Sequence, residues 1–166
     1  MDVNTLSLIL SALAFLIAIA ALWKVSRPVN VPVKEGFDSM PLVLQAYERL
    51  VLLTERIALP NLVSRLAQPD LSVQEMKIIL MENIKQEFEY NNTQQLYVSA
   101  SSWEAVRNLK EQSILFVHQV AASMPPSAKA GDLNRKLIEI LMAQPNEPLH
   151  VLVLQVLNSE AKKVMR

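Results

Sequence analysis

Residues 3–23 read VNTLSLILSALAFLIAIAALW, with no charged side chain between Asp2 and Lys24. An α-helix rises about 1.5 Å per residue, so about 20 apolar residues cross the roughly 30 Å hydrocarbon layer of a bilayer. This run has that length. Its polar members, Asn4, Thr5, Ser7 and Ser11, lie in its first half, and a hydroxyl can bond to a carbonyl one turn back. Trp23 ends the run, where an amphipathic ring suits the membrane interface. A cleaved signal peptide needs a basic start and a shorter apolar stretch. Only Met1 and Asp2 come before this one, although Ala18-Ile19-Ala20 imitates a cleavage site. A core helix of a soluble protein would carry a charged face. The expectation is a transmembrane anchor over residues 1–24, embedded in the lipid bilayer through Val3 to Trp23.

Working outward, Lys24, Arg27 and Lys34 follow the span and no basic side chain precedes it. Basic residues favour the cytoplasmic side, so the N-terminus is expected outside and the remainder in the cytoplasm. The chain has no Cys, in keeping with a reducing compartment. Residues 25–39, VSRPVNVPVKEGFDS, read as a juxtamembrane linker. Pro28 and Pro32 remove backbone donors and hold their neighbours extended, and Gly36 is one of only two glycines. Such a segment spans about 3 Å per residue.

Residues 40–166 have the size of one domain and helical periodicity throughout. A first helix is expected from Met40-Pro41 to about Ala58, with Ser39 as N-cap and Val43, Ala46, Tyr47, Leu50, Leu53 and Ile57 on its inner face. Glu48-Arg49 and Glu55-Arg56 recur seven apart, too briefly for a coiled coil. A short helix follows over 61–67. Ser72-Val73-Gln74-Glu75 is a capping-box pattern that opens a long helix toward Tyr97, with Met76, Ile79, Leu80, Ile84 and Phe88 inward. Ser101 to Glu104 repeats that pattern and starts a helix to about Ser123, striped by Trp103, Val106, Leu109, Ile114, Val117 and Val120. Asp132 is placed as the cap of a helix to Met142, and Leu149 to Met165 forms the last one. HVLVLQVL could pass for a strand, but Pro148 suits a helix start and NSEAKKVMR continues a helix. The fold class is all-α: a single N-terminal transmembrane helix followed by a soluble antiparallel bundle of about five helices.

Catalytic chemistry finds no support in these residues. His118 and His150 fall in separate helices, neither within an HExxH, and without Cys a zinc site lacks its usual donors. No metal site is expected. Gly36 and Gly131 stand too far apart for a phosphate loop, so no cofactor is expected either. Glu82, Glu87 and Glu89 cluster, and Lys85, three and four residues from Glu82 and Glu89, makes ordinary surface ion pairs with those two; the inward Glu-x-x-His pairs of a di-metal bundle are missing. The 16 basic and 16 acidic side chains are interleaved along the helices, leaving no positive surface for nucleic acid.

One segment departs from the pattern. Phe88, Tyr90, Tyr97 and Trp103 are interleaved with Asn91, Asn92, Thr93, Gln94 and Gln95. Asn, Thr and their like are modest helix formers, so a helix does not need this composition. The plain reading is a helix-to-helix corner with Phe88 and Trp103 in the core. The functional reading is a protein-interaction surface, because Tyr and Trp beside adaptable amides are what interfaces favour. Its residues are Tyr90, Gln94, Gln95, Tyr97 and Trp103.

The strings Tyr47-Glu48-Arg49-Leu50-Val51, Gln86 to Asn91, Gln94 to Ser99 and Trp103 through Lys110-Glu111 are similar to a family of uncharacterised bacterial proteins. Its members have one N-terminal membrane helix and a small helical domain. That resemblance implies the bacterial inner membrane and assigns no activity. The expected function is a non-enzymatic, membrane-tethered interaction domain, a scaffold or accessory subunit with an unidentified protein partner. The alternative is a self-associating structural protein, a homo-oligomer formed through Leu44, Val51 and Leu52 on the second apolar side of the first helix. An enzyme would rest only on His118, His150 and the Glu82–Glu89 cluster.

Overall fold

Proline and small polar caps set the ends of six helices among residues 38–165, the part of the chain that the computed structural model describes. The expected transmembrane helix at Val3–Trp23, and the linker as far as Phe37, lie outside these residues. Among the described residues no helix is long and apolar enough to cross a membrane. There is no strand among them, only a single antiparallel bridge between Ser72 and Lys129.

Helix α1 spans Met40–Ile57, with Pro41 in its first turn. The chain turns extended at Ala58 (φ −56°, ψ 121°). Pro60 explains the break: it has no N–H, and its ring would strike the carbonyl of Arg56 if the helix continued. It sits instead in the first turn of α2, Leu59–Leu66, where the missing donor costs nothing.

Helix α3, Val73–Tyr90, begins at the expected capping box. The Glu75 N–H donates to the Ser72 hydroxyl at 3.2 Å, and the Ser72 N–H donates to the Glu75 carboxylate at 2.9 Å. Hydrogen bonds from the Ser72 hydroxyl, then from its N–H, hold the Glu75 carboxyl below its ordinary value. The folded pKa being the depressed one, this cap stabilises fully above the ordinary carboxylate range and is lost as pH falls through the lowered value. Amide exchange at Glu75 is expected to speed up below about pH 4 beyond its intrinsic pH dependence. In Ser72→Ala that amide should be poorly protected at every pH; a retained acid transition would show that the box is not its source.

The expectation that α3 reaches Tyr97 is corrected. The Asn91 side-chain amide donates to the Glu87 carbonyl at 2.8 Å, while the Asn91 backbone N–H bonds to Phe88 instead. A local side-chain bond thus takes the helical acceptor, and the chain tightens into a 3₁₀ turn over Asn92–Leu96. Three helix starts also move, α2 opening at Leu59 rather than Asn61 because the chain is already extended at Ala58. Helix α4, Ala100–Ala122, is capped by Ser99, whose hydroxyl accepts from the Ser102 N–H at 3.2 Å; Glu104 pairs with Arg107 rather than closing a box on Ser101. Helix α5, Ala130–Ala143, begins before Asp132, whose carboxylate reaches back to the Lys129 N–H at 3.0 Å. Helix α6, Leu149–Val164, follows Pro148 and contains HVLVLQVL as helix.

The inner stripes meet in one core. Leu50, Leu53 and Ile57 of α1, Met76, Leu80 and Ile84 of α3, Val106 and Val117 of α4, and Leu157 of α6 are buried together. Helix α1 packs between α6 and α3, and α4 packs between the same two on the other side. Neighbours run in opposite directions. Arg56 meets Glu87 and Arg49 meets Tyr90 across α1 and α3, while Phe88 meets Trp103 across α3 and α4. The loops ahead of α3 and α5 lie side by side, with the Ala130 N–H donating to the Leu71 carbonyl at 2.8 Å, which ties α5 to the start of α3.

Candidate functional site

The amide-rich corner is divided between core and surface. Trp103 is half-buried, its ring centroid 4.9 Å from that of Phe88 at an interplanar angle of 35°. Lys110 extends its ammonium over the other partner, 4.5 Å from the Phe88 ring centre. Gln94 is buried within the 3₁₀ turn, and Gln95 is exposed and bonded to the Asn92 side chain. Tyr97 is exposed, while Tyr47 of α1 sends its hydroxyl to accept from the Ser99 N–H at 3.1 Å, pinning the corner to the core. Of the expected interface aromatics, Tyr90 is 75% exposed and Tyr97 42%.

Tyr90 borders a recess of about 460 Å³ between α1 and α3, and Gln94, Gln95, Tyr97 and Trp103 do not. Arg49, Leu52 and Arg56 line it from α1, and Gln86, Glu87 and Asn91 line it from α3. Arg49, Leu52 and Arg56 are three and four residues apart, so they form a stripe along one helix face. Leu52 is 62% exposed in the middle of that stripe. Arg49 lies 5.6 Å from the Tyr90 ring centre, a cation–π contact that leaves the far edge of the phenol free.

Glu87 anchors the floor. Its carboxylate accepts from Arg56 Nε at 2.7 Å and lies 3.8 Å from Arg65 of α2, so one partly buried acid links three helices. The hydrogen bond to Glu87, and then its charge, raise the Arg56 pKa above its usual value. The guanidinium therefore stays charged at any physiological pH. The lining carries two guanidiniums against one carboxylate, and that carboxylate is already paired. The recess offers a positive rim around an apolar centre.

This arrangement was only partly visible in the order of residues. The recurrence of Glu-Arg seven residues apart marked Arg49 and Arg56 as neighbours on a helix, but α3 as the facing wall could not be read from it. The sequence reading paired Glu82 and Glu89 with Lys85; Lys85 does hold Glu82 at 2.8 Å, while the consequential carboxylate is Glu87. The two histidines are separated. His118 is exposed on α4, and His150 lines a second recess between α4, α5 and the starts of α2 and α6. No three His, Asp or Glu side chains gather as a metal-binding group among the described residues.

Residues 3–164 match a family of unknown function (DUF7935). The chain belongs to that family. The match takes in the N-terminal apolar run as well as all six helices of the DUF7935 chain described above. No curated protein and no solved structure matches it.

Proposed function

We propose that this DUF7935 chain is a non-enzymatic docking protein, tethered by Val3–Trp23 in a bacterial inner membrane with its helical unit in the cytoplasm. The reading is supported chiefly by the recess between α1 and α3. Leu52 and Tyr90, both strongly exposed, flank it beside Arg49 and Arg56. An exposed Tyr beside fixed guanidiniums is the composition of an interface hot spot, and Leu52 adds apolar area between them. The complementary partner is a protein segment that presents an apolar side chain next to a carboxylate. The apolar side chain would cover Leu52 and the carboxylate would meet Arg49.

A photo-reactive amino acid placed at Leu52 in intact cells tests this. Illumination should give one discrete adduct, reduced about tenfold when Arg49 is changed to Glu, the loss expected for one interface charge of hot-spot strength. The same amino acid at His118, exposed on α4 outside the recess, should give none. If Leu52 labels no more specifically than His118, the recess is not the docking surface.

Self-association is the second reading, and the exposed residues move it to another helix. Of Leu44, Val51 and Leu52, only Leu52 is exposed, since Val51 packs against the core and Leu44 is half-buried. Leu149, Leu152 and Val156 are exposed on α6 at spacings of three and four, which makes that helix the better candidate. With the photo-reactive amino acid placed at Leu152 instead, an adduct of twice the chain's mass would favour this reading over a foreign partner.

A further inference from the structure

The second recess has a volume of about 530 Å³ and opens to solvent beside His150. We propose that it binds a single-chain, uncharged amphiphile, of which a long-chain alcohol is the simplest representative. Its volume lies within the range of about 300–1,000 Å³ common to small-molecule sites. Leu59, Leu109, Phe116, Ile138 and Leu141 supply apolar walls from three different helices, α2, α4 and α5. No Asp, Glu, Lys or Arg lines it. A buried head group carrying charge would therefore lose its hydration without gaining a counter-ion, and this selects against carboxylates and ammonium ions.

The hollow has a cause in the sequence. The inner stripe of α4 runs Val106, Leu109, Ser113, Val117 and Val120, and each of these is buried. Ser113 alone places a hydroxymethyl where its neighbours place branched apolar groups, and the missing volume lies directly in the recess. The helix break at Ala58 and the proline-bracketed turn before α6 keep the other walls apart, since Ala58, Pro60 and Pro148 all border it. Among the described residues neither the Ser113 hydroxyl nor the His150 imidazole has a hydrogen-bond partner. Both can serve a hydroxyl head group, one as donor and the other as donor or acceptor. An aliphatic tail then lies along Leu109, Phe116 and Leu141.

The test uses the full chain in phosphatidylcholine vesicles and a long-chain alcohol bearing a terminal diazirine. After illumination, adducts should concentrate on the walls and rim of the recess, such as Phe116, Met142 and Leu149. Excess 1-dodecanol should remove them, and dodecanoate at equal concentration should not. Ser113→Leu, which fills the hollow, should lower labelling about tenfold, whereas Ser113→Ala should retain it. Leu149→Trp obstructs the mouth from a half-exposed position and should lower labelling similarly, which guards against a folding defect in the buried variant. Equal labelling of Leu52 and Ile78, persistence of the adducts in both blocking variants, or equal competition by dodecanoate would each overturn the proposal.

Discussion

Leu157→Ala lowers the unfolding free energy by about 3 kcal/mol, the middle of the range for a buried leucine reduced to alanine. Leu157 has no exposed surface, and its helix, α6, packs against both α1 and α4. Removing its isobutyl group loses the transfer free energy of the buried carbons and leaves a cavity that a well-packed four-helix core fills poorly. Against a typical total of about 5–15 kcal/mol this is a large fraction. Leu152, on the same helix and 43% exposed, supplies the comparison. Leu152→Ala removes the same atoms from a side chain already facing water, and surface changes of that kind stay within about 0.5 kcal/mol. A urea titration followed by helical circular dichroism measures both. Equal costs would mean that α6 is not docked through Leu157.

Trp103→Ala is the second large effect, about 2–3 kcal/mol of lost stability, below the full-burial range because the side chain is half-buried. About 1 kcal/mol of it is assigned to the tilted stack on Phe88. A double-mutant cycle with Phe88→Leu and Trp103→Leu isolates that share as the departure from additivity. The same variant separates two roles for the corner. Trp103 faces inward, so adducts formed at Leu52 should survive in Trp103→Ala under conditions where the protein remains folded. Tyr90→Ala has the opposite signature: little change in stability and loss of the adduct. If Trp103→Ala abolished docking while leaving the unfolding midpoint in place, the tryptophan would belong to the interface after all.

The helices themselves were readable because their causes are local. The spacing of Ala46, Tyr47, Leu50, Leu53 and Ile57 predicts a buried face wherever that helix ends up, and all five are buried. The Ser72–Glu75 box forms as its spacing requires, since both partners lie within one turn. Ends failed where two local signals competed. At Asn91 a side-chain amide displaced the expected backbone bond, and at Ser99 a serine two residues earlier out-competed Ser101 as the cap.

An all-helical architecture with stripes facing a common core could thus be anticipated from the order of residues alone, because 3.6-residue periodicity and caps are properties of neighbouring positions. The tertiary structure decided which equally polar or aromatic side chains faced water. Gln94 turned inward while Tyr90 turned outward, and Glu87 rather than Glu82 found two arginines from other helices. Ser113 became the floor of a hollow for the same reason. A contact between residues on different helices depends on the angle at which those helices meet, and that angle is set by every side chain between them.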